Sequence, residues 1–97
     1  MPTSSEPFEV LLAATFQRAL RRFLRQHREL EPAYRRLVSD LEVDLFQAKL
    51  RLHALRGALD GFHAVSLAYS ERVNLILRFD ERSITLVDIG DHDDVYR

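Results

Sequence analysis

The chain contains no cysteine, which excludes a disulfide framework and a thiolate metal site and fits a reducing compartment. Long hydrophobic runs are missing too. The longest, Val10 to Ala14, is far short of the roughly 20 apolar residues that span a bilayer. No basic stretch precedes an apolar run at the N-terminus, so no signal peptide is expected. Net charge is also small: 14 basic residues stand against 15 acidic ones, for a formal −1. A uniformly cationic binder is thereby excluded. The sequence has no GxGxxG, Walker loop, HExxH or Ser/His/Asp spacing, which counts against nucleotide-binding and protease readings.

What is present suits one small globular domain. Of the 97 residues, 46% are hydrophobic and 30% charged, enough to bury a core and too apolar for disorder. The reading is a single domain over residues 1–97, with a loose N-terminus at 1–7, soluble and cytoplasmic. The balanced total hides an asymmetry. Between Thr15 and Arg36 there are seven arginines and only two acids, Glu29 and Glu31. Between Asp80 and Arg97 six acids face only Arg82 and Arg97. Local charged surfaces are implied.

Periodicity gives the elements. Residues 8–12 are short, apolar and partly alternating, which predicts a strand. Thr15 is expected to cap a helix over about 14–29, in which Phe16, Ala19, Leu20, Phe23, Leu24 and His27 share one face. Pro32 suits the first turn of a second helix over about 31–47, with Tyr34, Leu37, Val38, Leu41 and Leu45 at helical steps. From Gly57 the period changes to two. Gly57 and Gly61 bracket a turn, and strands follow at 62–69, 72–79 and 83–89. The order is β-α-α-β-β-β: an α+β domain, with a helical hairpin packed on one face of a small antiparallel sheet. The covered face is expected to carry Val65, Leu67, Val73, Leu75, Leu77 and Phe79.

The open face then carries the chemistry. Arg72, Asn74 and Arg78 project there from the central strand, with Ser66 beside them, and His92 and Tyr96 follow the last strand. Arginine grips a phosphate through two hydrogen bonds, and histidine titrates near neutrality; a ribonuclease uses both. His92-Asp93-Asp94 are consecutive and rarely converge on one ion, so no metal and no cofactor are expected.

These residues carry a resemblance. Leu52-His53-Ala54-Leu55-Arg56-Gly57, then Gly61-Phe62, Glu71-Arg72-Val73 and Ile89-Gly90-Asp91-His92-Asp93-Asp94-Val95-Tyr96 resemble, in order, the signature of the RelE/ParE toxin superfamily. They are most similar to its YafQ-like branch. The resemblance implies a RelE-like fold over about residues 8–97 and a toxin of a type II toxin–antitoxin pair. It implies ribosome-dependent cleavage of mRNA by metal-independent attack of the RNA 2′-hydroxyl. His92 matches the catalytic histidine and would be the general acid. His53 matches the loop histidine, Tyr96 the aromatic that orients RNA, and Arg72 the arginine that steadies phosphate charge. Arg56, Asn74 and Arg78 are taken as substrate contacts. The implied partners are a cognate antitoxin, the ribosome and mRNA. No membrane and no small-molecule cofactor are implied.

One departure stands out. These toxins carry a basic or histidine side chain where this chain has Ser66. His63 is three residues earlier and falls on the opposite face, so it does not substitute. Glu71, in the turn after that strand, is a loose match to a carboxylate base. The general base is left open. The departure keeps two other readings alive: a ParE-like inhibitor of DNA gyrase, which would not need His92, and a catalytically silent RelE-fold binding module.

Overall fold

The computed structural model describes residues 8–91. Its elements, in chain order, are β1 (Glu9–Leu12), α1 (Ala14–Gln26), α2 (Glu31–Val43), β2 (His53–Ala54), β3 (His63–Ser66), β4 (Glu71–Arg78) and β5 (Ser83–Asp91). The strands form one sheet in the order β1-β5-β4-β3-β2. Every neighbouring pair is antiparallel except β1 and β5, which run parallel. The sheet is therefore mixed and not purely antiparallel. The difference follows from connectivity: β1 reaches the edge of β5 before the helices, and its direction is set by the chain that must enter α1.

The helices form where the apolar spacing places them. Phe16 and Phe23 of α1 and Leu37 and Leu41 of α2 are buried, and the arginines of α1 lie on its solvent side. Pro32 sits in the first turn of α2, where its missing N–H costs nothing. The expected Thr15 cap does not form. The capping position is Ala13, without a side-chain bond, and Thr15 is already inside the helix. Both helices also stop short of their expected ends. After Gln26 the chain tightens into a 3-10 turn at Arg28–Leu30. After Val43, Asp44 turns extended and its Oδ1 accepts the Phe46 N–H at 2.9 Å, an Asx-turn that competes with further helix. Gln47 Nε2 donates to the Asp40 and Asp44 carbonyls, both at 3.0 Å. The end of α2 is thus capped from beyond.

The core lies between helices and sheet. Phe16, Leu41, Leu45, Val65, Val73, Leu75, Ile84 and Leu86 have almost no exposed surface and join one cluster with Phe23, Leu37, Leu50 and Ile89. Val65, Leu67, Val73, Leu75 and Leu77 all face it, fully or in part. Phe79 does not. Alternation stops at Arg78, the turn through Arg82 begins, and Phe79 stands 58% exposed, stacked on Phe46 and edge-on to Phe8.

Two departures from simple alternation shape the sheet. β2, only two residues long, had no periodic signal, yet it pairs with β3 and closes the far edge. The loop after it is tied by the Leu55 N–H to the Phe62 carbonyl at 2.9 Å, with Gly57 and Gly61 at positive φ. In β5 the register slips: Leu75 pairs with Leu86 but Asn74 pairs with Asp88, so Val87 is an extra residue in a β-bulge.

Candidate functional site

The open face is read from the register. Directly paired residues share a face, so the rows crossing the sheet name what lies side by side. One row runs His53, Ala64, Asn74, Asp88 through β2, β3, β4 and β5. The next runs Ser66, Arg72, Gly90. At about 4.8 Å between strands, these two rows make one polar half of the open face. His53, Arg72 and Asn74 are brought together there.

Each side chain is held in its own way. His53 is exposed, and its Nδ1–H donates to the Arg51 carbonyl at 2.9 Å. In the neutral ring, Nε2 then carries the lone pair. Arg72 is half-buried; its one described bond is from Nη1 to the Glu71 carbonyl at 3.4 Å. It forms no ion pair with Asp88 or with any other carboxylate among the described residues. A guanidinium without a carboxylate partner among the described residues suits a phosphate. Asn74 is 3% exposed, anchored at the middle of the row. Ser66 Oγ donates to the Ala68 carbonyl at 3.3 Å, so the hydroxyl is turned along its own strand.

Other candidates lie elsewhere. Arg78 is on the same face but four residues beyond Asn74, about 13 Å along the strand. There it pairs with Glu81 at 3.4 Å. Arg56 is exposed in the loop leaving β2, ahead of the 3-10 turn at Gly57–Leu59, and belongs to no row. Glu71 pairs with Asp91 next to the Val73–Ile89 pair, which puts it on the helix side. Its carboxylate accepts the Ser70 N–H and Oγ–H at 3.3 and 3.0 Å. His63 pairs with Leu75 and faces the helices, opposite Ser66. His92 and Tyr96 lie outside the described residues.

One residue of this half of the face was not among the expected contacts. Asp88 is exposed, and its Oδ1 accepts the Ile89 N–H at 2.9 Å. The signal for it is weak: Ile84 and Leu86 keep one alternation, Val87 and Ile89 begin another, and the two meet where the bulge falls. In the helical layer, Arg18, Arg21, Arg22, Arg25 and Arg28 are exposed along and just beyond α1. None forms an ion pair with a described carboxylate. Among the described residues no three metal-ligating side chains converge, and no helix is long and apolar enough to cross a membrane.

No family model matches the sequence, and comparison with curated proteins finds no match. Shape gives a clear answer where sequence does not. The chain has the fold of the RelE-like toxins. YafQ from E. coli superposes with a TM-score of 0.76 at 10% identity, over 93% of this chain and 99% of that one. A metal-bound toxin from Helicobacter pylori gives 0.72 at 20% identity, over 91% and 98%. The E. coli DinJ–YafQ toxin–antitoxin complex gives 0.74 at 11% identity, over 94% and 99%.

Proposed function

We propose that the chain is a one-domain toxin of a type II toxin–antitoxin pair, acting in the cytoplasm as a ribosome-dependent mRNA endoribonuclease. The observation that carries the reading is the polar half of the open face, where Arg72, Asn74 and His53 share adjacent rows on a RelE-like fold. The antitoxin partner is supported by the fold match to a toxin–antitoxin complex.

In this reading, mRNA lies across the open face with a phosphate against the Arg72 guanidinium. The 2′-hydroxyl attacks the adjacent phosphorus, leaving a 2′,3′-cyclic phosphate and a 5′-hydroxyl. His92 follows Gly90 by two residues, and Gly90 is the partner of Arg72 in the sheet. It is assigned as the general acid that protonates the departing 5′-oxygen. Arg72 offsets the charge that builds on phosphate. Arg56 contacts the substrate, with Arg78 reaching RNA farther along the strand, while Asn74, expected as a contact, is only 3% exposed and serves to hold the row in place. His53 works at the edge of the row, and Tyr96 orients a base by stacking.

Inducible expression with growth curves and mRNA end-mapping tests this, comparing wild type with His92→Ala. The wild type should arrest growth and leave RNA with 5′-hydroxyl ends. His92→Ala should lose about 10²–10⁴-fold in cleavage. Equal cleavage by both would remove His92 from the acid role. Intact mRNA with broken DNA would replace the ribonuclease by a gyrase inhibitor.

A further inference from the structure

Strand β5 does not keep a period of two. Ile84 and Leu86 are fully buried toward the helices, so unbroken alternation would turn Asp88 inward and Ile89 outward. The extra residue at Val87 reverses both. Asp88 comes opposite Asn74, and Ile89 comes opposite Val73 with only 7% exposed. Bulges of this kind re-aim a side chain beside a site. Here the side chain is a carboxylate. Of the other strand carboxylates at this end, Glu71 and Asp91 pair with each other on the helix side. Among the described strand residues, Asp88 is therefore the one acid on the polar half of the open face.

Its surroundings suit proton transfer. Arg72 is its diagonal neighbour, since the partner of Arg72 is Gly90, two residues along; such neighbours are about 7–8 Å apart. A phosphate held by that guanidinium would bring its ribose beside Asp88. The bond from Ile89 N–H to Oδ1 fixes the carboxylate while Oδ2 keeps its lone pairs. Asp88 also borders a cleft of about 330 Å³ along β5, lined by Arg22 and Gln26 of α1 and by His27 just after it. The carboxylate is not walled off at that edge.

The geometry points to Asp88 as the general base of the cleavage, a role that rests on the ribonuclease reading above. Asp88 takes the proton of the 2′-hydroxyl as O2′ forms its bond to phosphorus. The bond from phosphorus to the 5′-oxygen breaks, and that oxygen leaves with the proton given by the acid, His92. One proton is taken and one returned. The two roles separate cleanly, because a leaving group that needs no proton bypasses the acid and not the base.

The experiment is single-turnover cleavage on ribosomes by the purified full chain. Wild type, Asp88→Asn and His92→Ala are compared on an mRNA with the natural 5′-oxygen and on one with a 5′-bridging sulfur at the mapped cut. On the natural RNA, Asp88→Asn should be slower by about 10²–10⁴-fold, with KM within about twofold, as for a group acting in the transition state. On the sulfur RNA, His92→Ala should recover toward the wild-type rate and Asp88→Asn should stay slow. The asparagine Oδ1 still accepts from Ile89, so the bulge is kept. The ratio of the two rates is also independent of the folded fraction, so a destabilised variant still answers. Wild-type speed in Asp88→Asn overturns the assignment, as does recovery of that variant on sulfur. A wild type that cuts neither RNA removes the ribonuclease reading itself, and this base with it.

Discussion

On the helix-covered face of β4, Val73 and Leu75 have no exposed surface and share one cluster with Phe16 and Leu41. On the open face of the same strand, Arg72 and Ile76 remain half-exposed, and Asn74 sits at the centre of a polar row. One eight-residue strand thus serves two purposes through its period of two. The covered face is held by apolar burial, which tolerates little change in volume. The open face presents hydrogen-bonding groups on a backbone that the covered face keeps rigid. A site on strands backed by a packed core is positioned more accurately than one on loops. The difference teaches where stability and function should separate under mutation.

The largest effect expected from that division comes from cutting the covered face alone. Leu75→Ala removes a fully buried side chain and should cost about 2–5 kcal/mol. Ile76→Ala, the next residue and partly exposed on the other face, should cost about 1 kcal/mol or less. Urea denaturation of the two variants against wild type measures both. Equal losses would mean that the open face is also a packing surface, and the division between the faces would fail.

Much of this division is legible in the sequence, because alternation reports a face directly. Val73, Leu75 and Leu77 against Arg72, Asn74 and Arg78 is a pattern with a single structural solution. Alternation does not report distance along the strand. Arg78 shares the face of Arg72 but lies six residues away, bonded to Glu81. It also does not report where a strand ends, which is why Phe79 fits the pattern on paper and stands in the turn instead. β2 is too short to carry any period. The bulge at Val87 hides Asp88, because one inserted residue reverses every later side chain. These misses have one cause: periodicity is a local signal, and register is set by the partner strand.

A second comparison sets the open face against the outer surface of α1. The first gathers few charges around Asn74; the second gathers arginines without described carboxylate partners. On this reading the arginines act at a distance, through the rate at which the proposed antitoxin arrives. Arg21→Glu with Arg25→Glu should slow association by on the order of tenfold at low salt and flatten its salt dependence. Cleavage on the open face should be left intact. Stopped-flow binding at two ionic strengths gives the answer. An unchanged on-rate at low salt would take this surface out of the antitoxin interface.

The smallest effect sharpens the contrast from inside the helical layer. Tyr34 of α2 packs near Phe16, ring centroids 6.3 Å apart, and burial raises its phenol above the ordinary value of 10.0. In the unfolded chain the phenol loses its proton near the ordinary value, while the folded chain holds the proton to higher pH. Above that ordinary value the unfolded state therefore binds fewer protons than the folded one, and stability falls as pH rises. Below it both states are protonated and the group adds no pH dependence. Tyr34→Phe removes this penalty. Its stability difference from wild type should be constant between pH 7 and about 9 and should then shift in favour of the variant as pH rises past about 10. Urea midpoints at closely spaced pH values read the shift. Parallel curves for the two proteins through that range would mean that the ring is no more enclosed than a surface phenol, and that the helical layer is looser around Phe16 than its burial indicates.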